Sequence, residues 1–262
     1  MIDLLNSDVD LARQKYDVFV PTMGALHAGH QSLIKLGKTI GGSVLVSIFV
    51  NPLQFENKDD LARYPKTLDA DMKLAEEAGA TAVFAPTYEV IYPAEIEKID
   101  AGPVGNLFEG ASRAGHFSGV LTVVKRLFDL TKPSKAIFGE KDFQQLFLIR
   151  KMVQDLNIPI EIIAAPIIRE ADGLAMSSRN SRLDQAGRKA ALIISKALKE
   201  EKLTDMQKVL TQEPGFKLDY LQIIDENSFG PVTATTQNER VIIAGWVNGV
   251  RLLDNKRMGI SS

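Results

Sequence analysis

From Val18 to Ile163 short apolar runs alternate with stretches of helical spacing, and this order constrains the fold more than any other feature of the chain. Val18-Phe19-Val20, Ser43 to Val50, Ala82-Val83-Phe84-Ala85, Ala136-Ile137-Phe138 and Ile160 to Ile163 read as strands. Between them, Ser32 to Lys38, Thr67 to Ala78, about Gly119 to Leu130 and about Asp142 to Leu156 read as helices, the second closed by Gly79. Strands joined by helical crossovers pair in parallel, so the expected fold is α/β, a doubly wound parallel sheet with helices on both faces.

Beyond Arg169 the pattern changes to a loop of small and polar residues, a helix from about Asp184 to Glu201, and mixed elements. Asp219 to Ile224 and Arg240 to Ala244 alternate in polarity as half-exposed strands do. A boundary near Glu170 to Ala175 follows, with residues 1–170 as the sheet domain and 171–262 as a smaller C-terminal α+β lid. A chain of 262 residues is long enough for two such cores.

Composition removes several functions. With 31 basic against 33 acidic residues, a net charge of −2 and no basic stripe, nucleic-acid binding is not expected. No cysteine is present, so disulfides, thiolate nucleophiles and most structural zinc sites are out. No stretch reaches about 18 uninterrupted apolar residues, and the first residues lack the pattern of a secretory signal, so no membrane association and a cytoplasmic location are the expectations.

The chemistry concentrates where the first strand ends, in Pro21-Thr22-Met23-Gly24-Ala25-Leu26-His27-Ala28-Gly29-His30. In open parallel sheets ligands collect at the carboxyl ends of strands, where a following helix presents unpaired N–H groups and its positive dipole end to phosphates. Gly24 and Gly29 permit close backbone approach. His27 and His30, three apart at a helix start, can point the same way and donate to phosphate oxygens. The residues alone leave three readings open: a phosphate cradle, a metal pair completed by His116, or two structural histidines. No P-loop sequence and no G-x-S-x-G turn is present.

This segment resembles the H-x-G-H motif of the nucleotidylyltransferase superfamily, and its flanks narrow the resemblance to the pantothenate synthetase family. Further blocks are similar, in family order: Phe49 to Phe55, Tyr64-Pro65-Lys66-Thr67, Gly115 to Val120, Phe138 to Leu146, Met176 to Asn180 and Arg251 to Asn255. The resemblance implies a Rossmann-like core and a ligase that condenses pantoate with β-alanine at the expense of ATP, through pantoyl adenylate. It implies ATP contacts from Met23, Gly24, Ala25, Leu26, His27, Ala28, Gly29 and His30, from Gly139, Glu140, Lys141 and Asp142, from the Ile168 backbone, and from Met176, Ser177, Ser178 and Arg179. His30, His27 and Lys141 would be catalytic, and Gln54 and Gln145 would hold pantoate and β-alanine. Mg²⁺ accompanying ATP and a homodimer are further implications. The acidic residues Asp59, Asp60, Asp69 and Asp71 offer a possible Mg²⁺ cluster, although such runs are usually solvated. Ala114, Arg126, Asp129 and Ser134 depart from the family pattern. The alternatives are an H-x-G-H enzyme that stops after nucleotide transfer, and a binding module that has lost catalysis.

Overall fold

A computed structural model describes residues 2–56 and 58–259. The chain divides into two compact units: Met1–Glu140 with Gln144–Pro166, and Lys141–Phe143 with Ile167–Ser262. The division falls after Pro166, where sequence reading sets it at residue 170. Ile168 to Glu170 turn back on residues 174–176, through Glu170 N–H to Leu174 O (2.8 Å) and Met176 N–H to Ile168 O (2.9 Å), which ties them to the second unit.

The first unit carries six parallel strands, β1 (Asp3–Leu5), β2 (Val18–Thr22), β3 (Val44–Ile48), β4 (Ala82–Phe84), β5 (Lys135–Gly139) and β6 (Glu161–Ala165), in the order β1-β4-β3-β2-β5-β6. All five expected strands are present, within about two residues of their expected ends. The strands read as continuous apolar runs because both faces of the sheet are covered. Val18, Val20, Val44, Val46 and Ile137 pack with Leu33, Ile34, Ala75 and Ala78 of the helices Ala28–Ile40 and Leu68–Ala78. Phe19 points the other way, its ring 6.3 Å from that of Phe128 in the helix His116–Thr131.

Strand order reverses direction at β2, with β3 and β4 on one side and β5 and β6 on the other. At such a switch point the loops leaving adjacent carboxyl ends diverge and open a crevice for ligands. The segments that leave here are the Thr22 to His30 turn after β2 and Glu140 after β5.

The second unit is a three-stranded antiparallel sheet, β7 (Lys217–Asp225), β8 (Glu239–Val247) and β9 (Val250–Arg257), in the order β7-β8-β9. Val241, Ile243 and Val247 form a core with Ala190, Ile194, Met206 and Leu210 of the helices Gln185–Ala197 and Leu203–Leu210. Together the two sheets match the expected fold class.

Candidate active site

The turn after β2 is held from three directions. Thr22 Oγ1 donates to Ser47 O (2.6 Å) and accepts from Gly24 N–H (3.1 Å), bending the chain out of the strand. Gly24 has φ +80°, and a Cβ there would lie 2.9 Å from Asp71 Oδ2 and 3.1 Å from Ile48 Cγ2, so the position requires glycine. Asp71, buried in the helix Leu68–Ala78, receives Ala25 N–H on Oδ2 (3.0 Å) and Leu26 N–H on Oδ1 (2.7 Å), with Thr67 Oγ1 also donating (3.1 Å). Two predictions change here. The amides of Ala25 and Leu26 are turned to Asp71, so these residues shape the turn and do not offer those N–H groups to phosphate. Asp71 is a backbone clamp, which removes it from the proposed Mg²⁺ cluster.

His27 caps the helix Ala28–Ile40. Its Nδ1 accepts from Gly29 N–H (3.1 Å), while His30 Nδ1 accepts from His27 N–H (3.4 Å), and the two ring centroids lie 4.1 Å apart. A neutral imidazole that accepts at Nδ1 carries its proton at Nε2. Neutral, both histidines would thus carry their N–H at Nε2, at the start of a helix whose His27 and Gly29 amides are taken by the two rings.

Gln54 closes the short 3-10 helix Pro52–Gln54 that follows β3, and it is buried. Asn51 Nδ2 donates to Gln54 Oε1 (3.2 Å), which turns the amide so that Nε2 approaches Met23 Sδ (2.8 Å). Asn51 is itself fixed, donating to Gly119 O (3.0 Å) and accepting from Tyr92 Oη (3.0 Å). Burial pushes the Tyr92 phenol up, so it stays a donor.

His116, which the sequence offers only as a third metal ligand, braces Gln54 instead. Arg113, which can only donate, lies 2.9 Å from its Nε2, so the proton sits on Nδ1 and is given to Gln54 O at 2.9 Å. Both ring nitrogens are engaged, and no group of three or more metal-ligating side chains occurs among the described residues. The metal reading of the three histidines therefore has no support.

Gln144 and Gln145 divide their tasks. Gln144 is buried, donating to Val104 O and Leu107 O (2.8 Å each) and accepting from Glu109 N–H (3.1 Å), which makes it structural. Gln145, half-buried one residue later in the helix Phe143–Asp155, is the one with amide capacity to give a ligand.

Lys141, Ser177, Arg179, Asn180, Arg251 and Asp254 line one pocket of the second unit. Asp254 is taken by Arg169 in a two-pronged pair of 2.6 and 3.0 Å, Arg251 pairs with Asp219 (2.7 Å), and Lys141 Nζ lies 3.4 Å from Asp142 Oδ1. Ser177 caps the 3-10 helix Ser178–Arg182 by accepting from Arg179 N–H (3.3 Å), and its own O–H stays a donor. Ile168 lies on the adjoining hairpin. The predicted site residues thus divide by unit: Met23, His27, His30, Gln54 and Gln145 belong to the first, and Lys141, Ser177 and Arg179, which share a pocket, to the second.

Residues 3–257 match the family model described as pantoate-beta-alanine ligase. A pantothenate synthetase of Acidothermus cellulolyticus is 45% identical over 256 residues, covering 92% of this chain and 84% of that protein. One from Nocardia farcinica is 47% identical over 247 residues, covering 90% and 77%. The crystal structure of the pantothenate synthetase of Thermus thermophilus superposes with a TM-score of 0.92 at 40% identity, covering 97% of this chain and 99% of that one. A pantoate-beta-alanine ligase of Francisella tularensis, crystallised with a β,γ ATP compound and β-alanine, gives 0.84 at 35% identity, covering 98% and 97%.

Proposed function

The chain belongs to the pantoate-beta-alanine ligase family, and we infer from this that it joins pantoate to β-alanine in two ATP-dependent steps. A pantoate carboxylate oxygen attacks the α-phosphorus of ATP, and the bond to the β-phosphate oxygen breaks to release pyrophosphate. The β-alanine amine then attacks the acyl carbon, its proton departs, and AMP leaves. Activation is needed because a carboxylate is a poor electrophile, and the adenylate supplies a good leaving group.

The observation that carries this reading is the reciprocal bonding of His27 and His30, which sets two Nε2–H donors at one helix N-terminus. Preorganised donors of this kind stabilise charge as it develops between the α- and β-phosphates. Gly24, Ala28 and Gly29 give the nucleotide close backbone approach, and Gly139, Glu140 and Asp142 line its path after β5. Lys141 adds a point charge on the phosphates, Arg179 a planar fork, and Ser177 and Ser178 hydroxyl donors. Ile168 meets the adenine through its backbone, with Met176 beside it on the same hairpin. Gln54 and Gln145 orient pantoate and β-alanine without a positive charge that would blunt the attacking oxygen. Residues 171–262 act as a lid that excludes water from the adenylate. Mg²⁺ enters on the phosphates as part of the nucleotide substrate. A homodimer and a cytoplasmic location belong to the same reading.

The deciding experiment measures AMP release from ATP and pantoate, with and without β-alanine, beside pantoate-dependent ATP–pyrophosphate exchange. His30→Ala is expected to lower exchange by about 10²-fold or more, with an unchanged circular dichroism spectrum. Near-normal exchange in that variant would sink the assignment of His30. A stable nucleotide-linked product formed without an amine would mark an enzyme that stops after nucleotide transfer.

A further inference from the structure

Lys141 precedes a helix of the first unit, yet Lys141–Phe143 packs with the second. The reason is a chain of polar contacts that ends on the lysine's own backbone. Glu226 accepts from Arg240 Nε at 2.6 Å and also pairs with Arg257. Burial alone would raise the Glu226 carboxyl, but the bonds from Arg257 and Arg240 outweigh it and hold the group below the ordinary range. Arg240, 4% exposed, donates through its other arm to Asn255 Oδ1. Asn255, 3% exposed, then donates from Nδ2 to Lys141 O at 3.0 Å.

The direction of this chain is fixed by chemistry. A guanidinium has only donors, so the amide oxygen of Asn255 must face Arg240 and its NH₂ must face the Lys141 carbonyl. A second hold lies two residues on, where the Arg240 guanidinium covers the Phe143 ring at 4.1 Å and that ring stacks on Phe229 at 6.1 Å. The segment is thus gripped on both sides of Asp142, and Lys141 opens onto the pocket lined by Ser177 and Arg179.

We propose that Asn255 is a positioning residue, which sets the Lys141 backbone so that its ammonium joins Ser177 and Arg179 as one anion-binding group carried by the second unit. This rests on the reading of Lys141 as a phosphate contact. A displacement of about 1 Å in such a group can cost up to 10²-fold in rate.

Asn255→Asp separates positioning from structure. The carboxylate still accepts from Arg240, so the Arg240 side of the network survives, but nothing remains to donate to Lys141 O. The full-length variant is expected to melt within a few degrees of the parent, to lose about tenfold or more in kcat for ATP–pyrophosphate exchange, and to keep its KM for pantoate. In a Lys141→Ala background the same substitution is expected to cost nothing further, since Asn255 acts through the lysine. Parental kcat in Asn255→Asp would overturn the proposal, and so would an equal loss with and without Lys141. Near-normal exchange in Lys141→Ala alone would instead overturn the role of the lysine on which the proposal stands. Asn255→Ser, too short to reach Lys141 O, provides the same comparison if the aspartate variant does not fold.

Discussion

Asp71 governs the shape of the histidine turn from more than forty residues away in sequence. Its two oxygens take the adjacent amides of Ala25 and Leu26, and through them fix where His27 begins the helix. Hydrogen bonds to a charged acceptor contribute about 1.5–3 kcal/mol each, more than neutral ones. In Asp71→Asn one oxygen is replaced by a donor that opposes an amide N–H. The expected outcome is a loss of about 2–3 kcal/mol in urea unfolding, with ATP–pyrophosphate exchange reduced about tenfold while the spectrum of the folded protein is kept. An unchanged urea midpoint would show that the clamp is dispensable. In the sequence this residue looks like a member of a solvated acidic run, because nothing local distinguishes Asp71 from Asp69. The histidines were legible because they are rare and adjacent. Their tautomers were not, since these depend on backbone amides that only the folded turn brings to Nδ1.

The short 3-10 helix Pro52–Gln54 and the helix His116–Thr131 meet more closely than ordinary side chains allow. A Cβ on Gly119 would lie 2.2 Å from Leu53 O and 2.5 Å from Leu53 C, both backbone atoms that cannot rotate away. Gly119→Ala must therefore push the two elements apart, breaking the Asn51 to Gly119 O bond and moving Gln54. Overpacking of this kind costs about 1–3 kcal/mol. The expected kinetic result is a several-fold rise in KM for pantoate with KM for ATP little changed; a variant with parental KM values would separate Gln54 from pantoate binding. Elements with strong periodicity were readable, and those that failed lacked it. Strand β1 is three residues long, mostly exposed, and visible only through its pairing with β4. Strand β9 was missed although Asn248-Gly249, at φ 47° and 74°, forms the two-residue hairpin from β8 that this dipeptide favours. Departures from the family pattern have local partners: Arg126 donates to Ile91 O (2.9 Å), Asp129 pairs with Lys125 (2.7 Å), and Ser134 Oγ donates to Asp17 O (2.9 Å).

At the scale of the whole molecule, the chain passes between its units three times, after Glu140, Phe143 and Pro166. Only the last passage was visible in the sequence, as a change in composition. The first two were hidden because Lys141-Asp142-Phe143 reads as the start of a helix, which in part it is, while its partners Asn255, Arg240 and Phe229 lie far along the chain. This topology predicts that the C-terminal region is incomplete by itself. A fragment of residues 167–262 lacks Phe143, whose ring covers Phe229, a side chain 1% exposed, and it leaves Asn255 Nδ2 without Lys141 O. Removing a buried phenylalanine side chain typically costs about 3–5 kcal/mol. At about 0.05–0.15 kcal/mol per residue a unit of this size has roughly 5–15 kcal/mol in all, so such a loss removes a large part of its stability. The fragment is therefore expected to melt broadly, well below the full chain, and to bind a hydrophobic dye. Adding residues 140–144 back through a flexible linker is expected to sharpen the transition and suppress dye binding. A fragment that melts cooperatively at the temperature of the full chain, with no dye bound, would show that the three-residue excursion stabilises nothing.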